Sequence, residues 1–191
     1  MINMEVRKVR KMLSGNKIYF RSIEREDLVK RVEWINDPVV QATLHYDYPI
    51  SLARTQKWFD NIVLDRSRVD FSIFILEPDE YIGFCGFLNI DRLVRKAELY
   101  MTIGNRTHWG KGFGSEAYKL LTNYGFLELG LNRIYGYQDI DNHAAFHIKE
   151  KLGWKREGIL RQDLFAHGRI CDRNVMSILR EEWKANPIYD F

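Results

Sequence analysis

The sequence predicts an α+β domain with a mixed, mostly antiparallel sheet of about seven strands and about four helices. Three observations carry that expectation. Residues 70–103 hold three consecutive segments of strand character separated by turn residues. A glycine-rich stretch, Thr107 to Glu116, then joins the last of them to an amphipathic segment that runs to about Leu129. Beyond it come a strand pattern, a helix pattern and two more strand patterns.

At 191 residues, 46% apolar and 29% charged, the chain has the composition of one soluble domain, long enough to bury a core. Residues 1–15 read as a basic N-terminal extension and 16–191 as the domain. A net charge of +3 tolerates an anionic ligand, but no stripe of lysines and arginines points to a nucleic-acid partner. The one local cluster, Arg7 to Lys11, reads as a solvated tail or first turn rather than a binding arm. Cys85 and Cys171 lie far apart, which supports neither a disulfide framework nor a zinc site. No apolar run approaches the ~18 residues of a membrane span, and the start of the chain has no signal-peptide stretch. A cytoplasmic protein without a membrane partner is expected.

In order along the chain, Ser14-Gly-Asn16 reads as a turn and Lys17 to Ile23 as a short strand. A helix follows from about Arg25 to Asn36, with Leu28, Val32 and Ile35 on one face, and Asp37-Pro38 stops it. Val39 to Ile50 is a polar-aromatic loop. Ser51 then caps a second helix that carries Trp58, Phe59, Ile62 and Val63. The strand segments are Asp70 to Leu76, Tyr81 to Ile90, and Ala97 to Ile103. In the last, Ala97, Leu99, Met101 and Ile103 face one way and Glu98, Tyr100 and Thr102 the other. The helix after the glycine loop shows Phe113, Ala117, Leu120, Leu121, Tyr124 and Leu127 on one stripe, with Gly130 as its C-cap. Asn132 to Gln138 reads as a strand. A helix from Asp141-Asn142 turns Ala145, Ile148 and Leu152 inward and ends at Gly153. Strands from Trp154 to about Ala166 and from Ile170 to Leu179, joined at His167-Gly168, complete the pattern.

A glycine-rich turn at a helix N-terminus offers backbone N–H groups and a positive dipole end to a phosphate. The spacing is not that of Walker A. The dinucleotide fingerprint would need glycine where Ser115 stands. The loop therefore reads as a phosphate cradle for something other than a bare nucleoside triphosphate or NAD.

Trp109-Gly-Lys-Gly-Phe-Gly-Ser-Glu-Ala117 resembles the acyl-CoA pyrophosphate loop of the GNAT N-acetyltransferase superfamily, written Gln/Arg-x-x-Gly-x-Gly/Ala. Asn142-His-Ala-Ala-Phe-His-Ile-Lys-Glu-Lys-Leu-Gly-Trp154 resembles the helix that follows in that fold. Asn16 to Leu28, Asn36-Asp-Pro38, Gly158-Ile-Leu-Arg161 and Gly168-Arg-Ile-Cys-Asp172 look like the RimJ/RimL-type branch, and the resemblance spans about 16 to 183. It implies a splayed GNAT-like sheet and acetyl-CoA as co-substrate, without a metal. The CoA pyrophosphate falls to the loop of Trp109, Gly110, Lys111, Gly112, Phe113 and Gly114. By the same resemblance Met101, Thr102 and Ile103 pair their main chain with the pantetheine arm. Asn142 matches the asparagine that contacts that arm, and it also reads as a plain N-cap.

Two departures stand out. Trp109 replaces the Gln or Arg of the family loop, which removes a side-chain contact to phosphate; Lys111 or His108 is the candidate to compensate, with a solvated Lys111 as the plain reading. Where many members carry a tyrosine as general acid this chain has Lys149, and where RimL-like enzymes use a serine it has Ala145. The chemistry still needs a base for the ammonium proton and donors for the thioester carbonyl. Glu98 is the candidate base, with an exposed carboxylate paired to Lys96 or Arg95 as its plain reading. Tyr100, on the same face, is a candidate proton donor or simple packing. His45, Tyr46 and Asp47 are candidates for acceptor binding. His143 and His147 have metal-compatible spacing without a third ligand.

The expected function is transfer of the acetyl group of acetyl-CoA to a primary amine by direct attack in a ternary complex. A protein N-terminus or an amino sugar is the favoured acceptor, and a homodimer is compatible with the pattern. Trp34-Ile-Asn-Asp-Pro38 and Pro49-Ile-Ser-Leu52 with Trp58 look like nucleotide-amino-sugar acetyltransferases. A polyamine site needs carboxylates, and the loop from Val39 to Ile50 offers only Asp47. The alternative is a non-catalytic acyl-CoA-binding or regulatory module of the same fold.

Overall fold

The computed structural model describes residues 13–46, 49–166 and 168–189. Among these residues eight strands form one sheet: β1 (Leu13–Ser14), β2 (Ile18–Ser22), β3 (Val69–Ile75), β4 (Glu80–Asp91), β5 (Lys96–Ile103), β6 (Arg133–Asp139), β7 (Lys155–Ala166) and β8 (Arg169–Leu179). Their order is β1-β2-β3-β4-β5-β6-β8-β7, and every neighbouring pair is antiparallel except β5 with β6. The helices are α1 (Leu28–Asn36), α2 (Pro38–Gln41), α3 (Leu52–Ile62), α4 (Phe113–Leu127), α5 (His143–Lys151) and α6 (Arg180–Lys184). The mixed α+β architecture is the expected one, with one strand and two short helices more than the pattern suggested. The extension before Leu13, Asp47 and His167 lie outside the described residues.

Local chemistry explains most element boundaries. The first expected helix divides into a 3-10 turn, Arg25–Asp27, followed by α1. Asp37 ends α1 in an extended conformation and caps the next turn, its side chain accepting from the N–H groups of Val39 and Val40, so Pro38 opens α2. Ser51 caps α3 by accepting from Arg54 N–H. On β5, Ala97 and Leu99 point into the core with Phe71, Ile73 and Phe87 from the neighbouring strands.

Helix α4 corrects the single-stripe reading. Leu127 is largely exposed, whereas Phe126 and Thr122 are buried beside Ala117, Leu120 and Leu121. The sheet covers one side of α4 and the C-terminal segment covers a second. Trp183 donates its indole N–H to Asn123 Oδ1 and packs on Phe126, while Asn123 donates to the Tyr189 carbonyl. The helix is capped at Glu128. Gly130 takes its left-handed φ of 65° beyond that cap rather than forming it.

A buried ion pair ties the start of α1 to the sheet. Arg21 and Asp27 are 5% and 4% exposed. Arg21 gives Asp27 two hydrogen bonds of 2.8 and 2.7 Å, Ser72 Oγ gives a third, and Glu24 N–H a fourth. Four donors satisfy that carboxylate, which is the condition for burying an ion pair at tolerable cost. Removing it would leave the Arg21 guanidinium in the core with only the exposed Glu26 carboxylate at 3.2 Å and the Ser22 carbonyl as partners. Asp27→Ala is expected to lose about 3–5 kcal/mol in urea unfolding, and a loss below about 1 kcal/mol would show that Arg21 finds another partner.

Candidate active site

Strands β5 and β6 pair over three positions only: Lys96 with Arg133, Ala97 with Ile134, and Glu98 with Tyr135. Beyond Glu98 they part. β5 continues to Ile103 on β4, and β6 continues to Asp139 on β8. From Leu99 onward the inner edge of β5 is therefore unpaired; Thr102 bonds back to β4, which leaves the main-chain groups of Met101 for an extended ligand.

The glycine loop stands at the wide end of this wedge. Gly110 and Gly112 have φ of 74° and 87°, and Gly112 is the left-handed residue at the N-cap of α4. No side chain caps that helix. A Cβ on Gly110 would meet nothing within 4 Å, and one on Gly112 only the Lys17 ammonium at 3.8 Å. Open first-turn amides at the end of a 15-residue helix suit a phosphate. Trp109 supplies a tether in place of the family's polar side chain, its indole N–H donating to the Ile103 carbonyl at 2.7 Å.

Two cavities meet across β5. One, of about 420 Å³, runs along the loop past Gly110, Gly112, Ser115 and Ile148. The other, of about 400 Å³, is lined by Glu98, Tyr100, His45, Tyr46 and three arginines, Arg31, Arg68 and Arg173. Both include Met101, Thr102, Tyr118, Asn142 and Ala145. The structure thus brings together Glu98, Tyr100, Met101, Thr102, Ile103, Trp109, Gly110, Gly112, Gly114, Asn142, His45 and Tyr46. It does not bring in two side chains: Lys111 is exposed and Phe113 packs edge-on to His108, so neither lines a cavity. Asn142 accepts from Ala145 N–H through Oδ1, which caps α5 and leaves its Nδ2 without a partner.

The titrating groups differ in their settings. Glu98 accepts from Asn89 Nδ2 at 3.1 Å rather than pairing with Lys96 or Arg95. Burial raises its carboxyl pKa, against the opposing pull of that hydrogen bond and of the Arg173 and Lys149 charges. Tyr100 gives its hydroxyl proton to Asp70, and burial followed by the Asp70 charge pushes it well above the usual phenol value. That makes it a reluctant proton donor. His45 Nε2 lies 3.1 Å from Asp139 Oδ2, and Tyr46 accepts from Arg31 Nη2. Among the described residues no group of three His, Cys, Asp or Glu side chains is placed to hold a metal ion.

Lys149 is the residue that pattern reading placed but did not understand. It is 1% exposed, donates to Gln138 Oε1 at 2.7 Å, and faces the rings of Tyr118 and Trp154. A Cβ on Gly136 would stand 3.0 Å from its Nζ and 3.0 Å from the Leu99 carbonyl. Glycine at 136 therefore makes room for this amine at the vertex where β5 and β6 part. Burial pushes its pKa down to about 7, with Glu98 pulling the other way.

A family model described as an acetyltransferase (GNAT) domain matches residues 17–155. The chain belongs to the GNAT acetyltransferase family. It is 35% identical, over 90% of its length, to an uncharacterized N-acetyltransferase, p20, of Bacillus licheniformis, covering 97% of that protein. It is 29% identical to the spermidine N(1)-acetyltransferase of Escherichia coli K12, covering 91% of this chain and 92% of that one. A crystal structure of spermidine N-acetyltransferase from Vibrio cholerae, in complex with CoA and spermine, matches with a TM-score of 0.84 at 25% identity, over 89% of this chain and 99% of that one. This GNAT protein is an acetyl-CoA-dependent N-acetyltransferase.

The Lys149 setting gives a sign to the pH dependence of stability. The unfolded chain keeps this proton up to the ordinary value of 10.5, and the folded chain releases it near 7. The unfolded state binds more protons between those values, so this group makes stability rise with pH across that window, by at most about 1.4 kcal/mol per unit. Lys149→Met is expected to be more stable than wild type below pH 7, with the advantage shrinking towards pH 10. Urea unfolding at pH 6, 8 and 9.5 measures it, and a difference independent of pH would place Lys149 in a solvated setting.

Proposed function

We propose that this chain moves the acetyl group of acetyl-CoA to a primary amine by direct attack in a ternary complex. The observation that carries the reading is the meeting of two cavities at Met101 and Thr102, on the free edge of β5. In this reading the amides from Gly110 to Gly114 and the first turn of α4 hold the CoA pyrophosphate. Main-chain groups of Met101, with Asn142 Nδ2, hold its arm. The donor supplies an acetyl thioester, and the residues of this chain supply alignment and proton management.

Glu98 is the base. Its raised pKa brings it nearer to neutrality, where a carboxylate takes an ammonium proton more effectively, directly or through water. Lys149, at the position of the family tyrosine, is itself buried and lines neither cavity, so it serves as the acid through an intervening water. At about 7 it holds a proton near neutral pH, and it can give that proton up to a thiolate of ordinary thiol pKa near 8.5. A small amino compound, an amino sugar or a protein N-terminus is preferred to a polyamine, although two relatives are named for spermidine. A polycation would meet three arginines and one glutamate on the cavity wall. The opening motif, Asn16 to Leu28, supports a place in the RimJ/RimL-like branch.

Glu98→Gln is expected to lower kcat/KM by about 10²–10⁴-fold while leaving calorimetric CoA binding unchanged. Following free thiol with an amine panel, and the acetylated product by mass spectrometry, measures it. Equal rates in both proteins would remove Glu98 from the mechanism. CoA binding with no acetylated amine would favour the non-catalytic module.

A further inference from the structure

Arg31 lies on α1, one turn beyond Asp27, and lines the second cavity. It is 3% exposed. Its guanidinium lies 3.8 Å from the Phe84 ring centre and 4.6 Å from that of Trp58. Nη2 donates to the Tyr46 hydroxyl, and among the described residues Nη1 has no hydrogen-bond partner. Among the described residues no carboxylate pairs with it. The neighbouring arginines differ. Arg21 has Asp27, Arg68 has both oxygens of Asp70, and Arg173 has Asp163. Asp70, the carboxylate nearest in influence to Arg31, is committed to Arg68 and to the Tyr100 hydroxyl.

A fixed cation buried without an anion is expensive, and ring faces repay only part of that cost. A guanidinium with an unused donor on a cavity wall is matched by a planar or tetrahedral oxyanion. Among the described residues Glu98 is the one carboxylate on that wall, which also carries Arg31, Arg68 and Arg173. We infer that the accepted amine also carries an anionic group, a carboxylate or a phosphate, which Arg31 receives beside Arg68 and Arg173. This deepens the acetyl-transfer reading above and rests on it. The acceptor then approaches Glu98 with its amine while its anion is held on the arginine side, which orients it and excludes polycations.

The test uses matched amines with wild type and Arg31→Met: 4-aminobutyrate against 4-aminobutyramide, glucosamine 6-phosphate against glucosamine, and spermidine. In at least one pair the anionic member is expected to have the higher kcat/KM by about 30-fold, and which pair responds separates carboxylate from phosphate. Arg31→Met should abolish that preference through KM, keep CoA affinity, and melt no lower than wild type without acceptor, since it removes an unpaired charge. A structural arginine would instead lower the melting temperature and leave the preference intact. Preference for the neutral members or for spermidine, or a preference that survives in the variant, overturns the inference. If Arg31→Met loses CoA binding, Arg31→Lys decides: a reduced preference supports the inference and an unchanged one overturns it. Calorimetric titration of the CoA-saturated protein with the same pairs reads binding without turnover. Arg31-dependent binding of an anionic member with no acetylated product keeps this inference and sinks acetyl transfer, and no binding of any anionic member overturns it.

Discussion

The three-residue pairing of β5 with β6 is the constraint on which the site depends. It is the one parallel junction in the sheet, and each strand is held along its far half by its outer neighbour, β5 by β4 and β6 by β8. The inner edges can therefore separate without either strand losing its ladder on the other side. A sheet interior normally leaves no backbone donor or acceptor unused. Here the deficit is confined to the segment between the glycine loop and the second cavity, where a chain-like ligand arm can complete the pairing. Gly136 and Lys149 occupy the vertex, so the strands meet around a buried amine.

Two cations flank this wedge in unusual settings. Lys149 has an amide oxygen and two ring faces where a carboxylate would be expected, and Arg31 has a hydroxyl and ring faces. The Arg21–Asp27 pair shows that this fold satisfies a buried cation fully when the purpose is structural. Arg31, with a donor left over on a cavity wall, is the feature on which the proposed anionic acceptor rests.

The fold and the donor side were legible in the sequence because their signals are local. Glycine spacing, the cap at Ser51 and the alternation of Ala97 to Ile103 depend on residues a few positions apart. The acceptor side was less so. Arg31 lies beside the Leu28–Ile35 stripe of α1 and reads as solvent-facing until Phe84, Trp58 and Tyr46 close over it from β4, α3 and the loop before Asp47. The resemblance marks Lys149 as standing where many members have a tyrosine, but its burial is invisible to helical periodicity, because Tyr118, Gln138 and Trp154 arrive from other elements. Leu127 fails in the opposite sense: a 3.6-residue period assumes one covered face, and the segment around Trp183 covers a second side of α4.

In the proposed mechanism, a lysine in place of the family tyrosine also changes how acid and base depend on each other. A tyrosine acid is neutral before it acts and leaves a carboxylate base unaffected. A lysine acid is charged before it acts, and its charge lowers the pKa of Glu98, while Glu98 raises that of Lys149. Burial works against both charges, so the two groups are driven towards neutrality by desolvation and away from it by each other. The wedge supports that arrangement because Lys149 sits beneath its vertex while Glu98, the last paired residue of β5, stands at its rim. The position of the parting between β5 and β6 thus sets both the free edge of β5 and the separation of these two titrating groups.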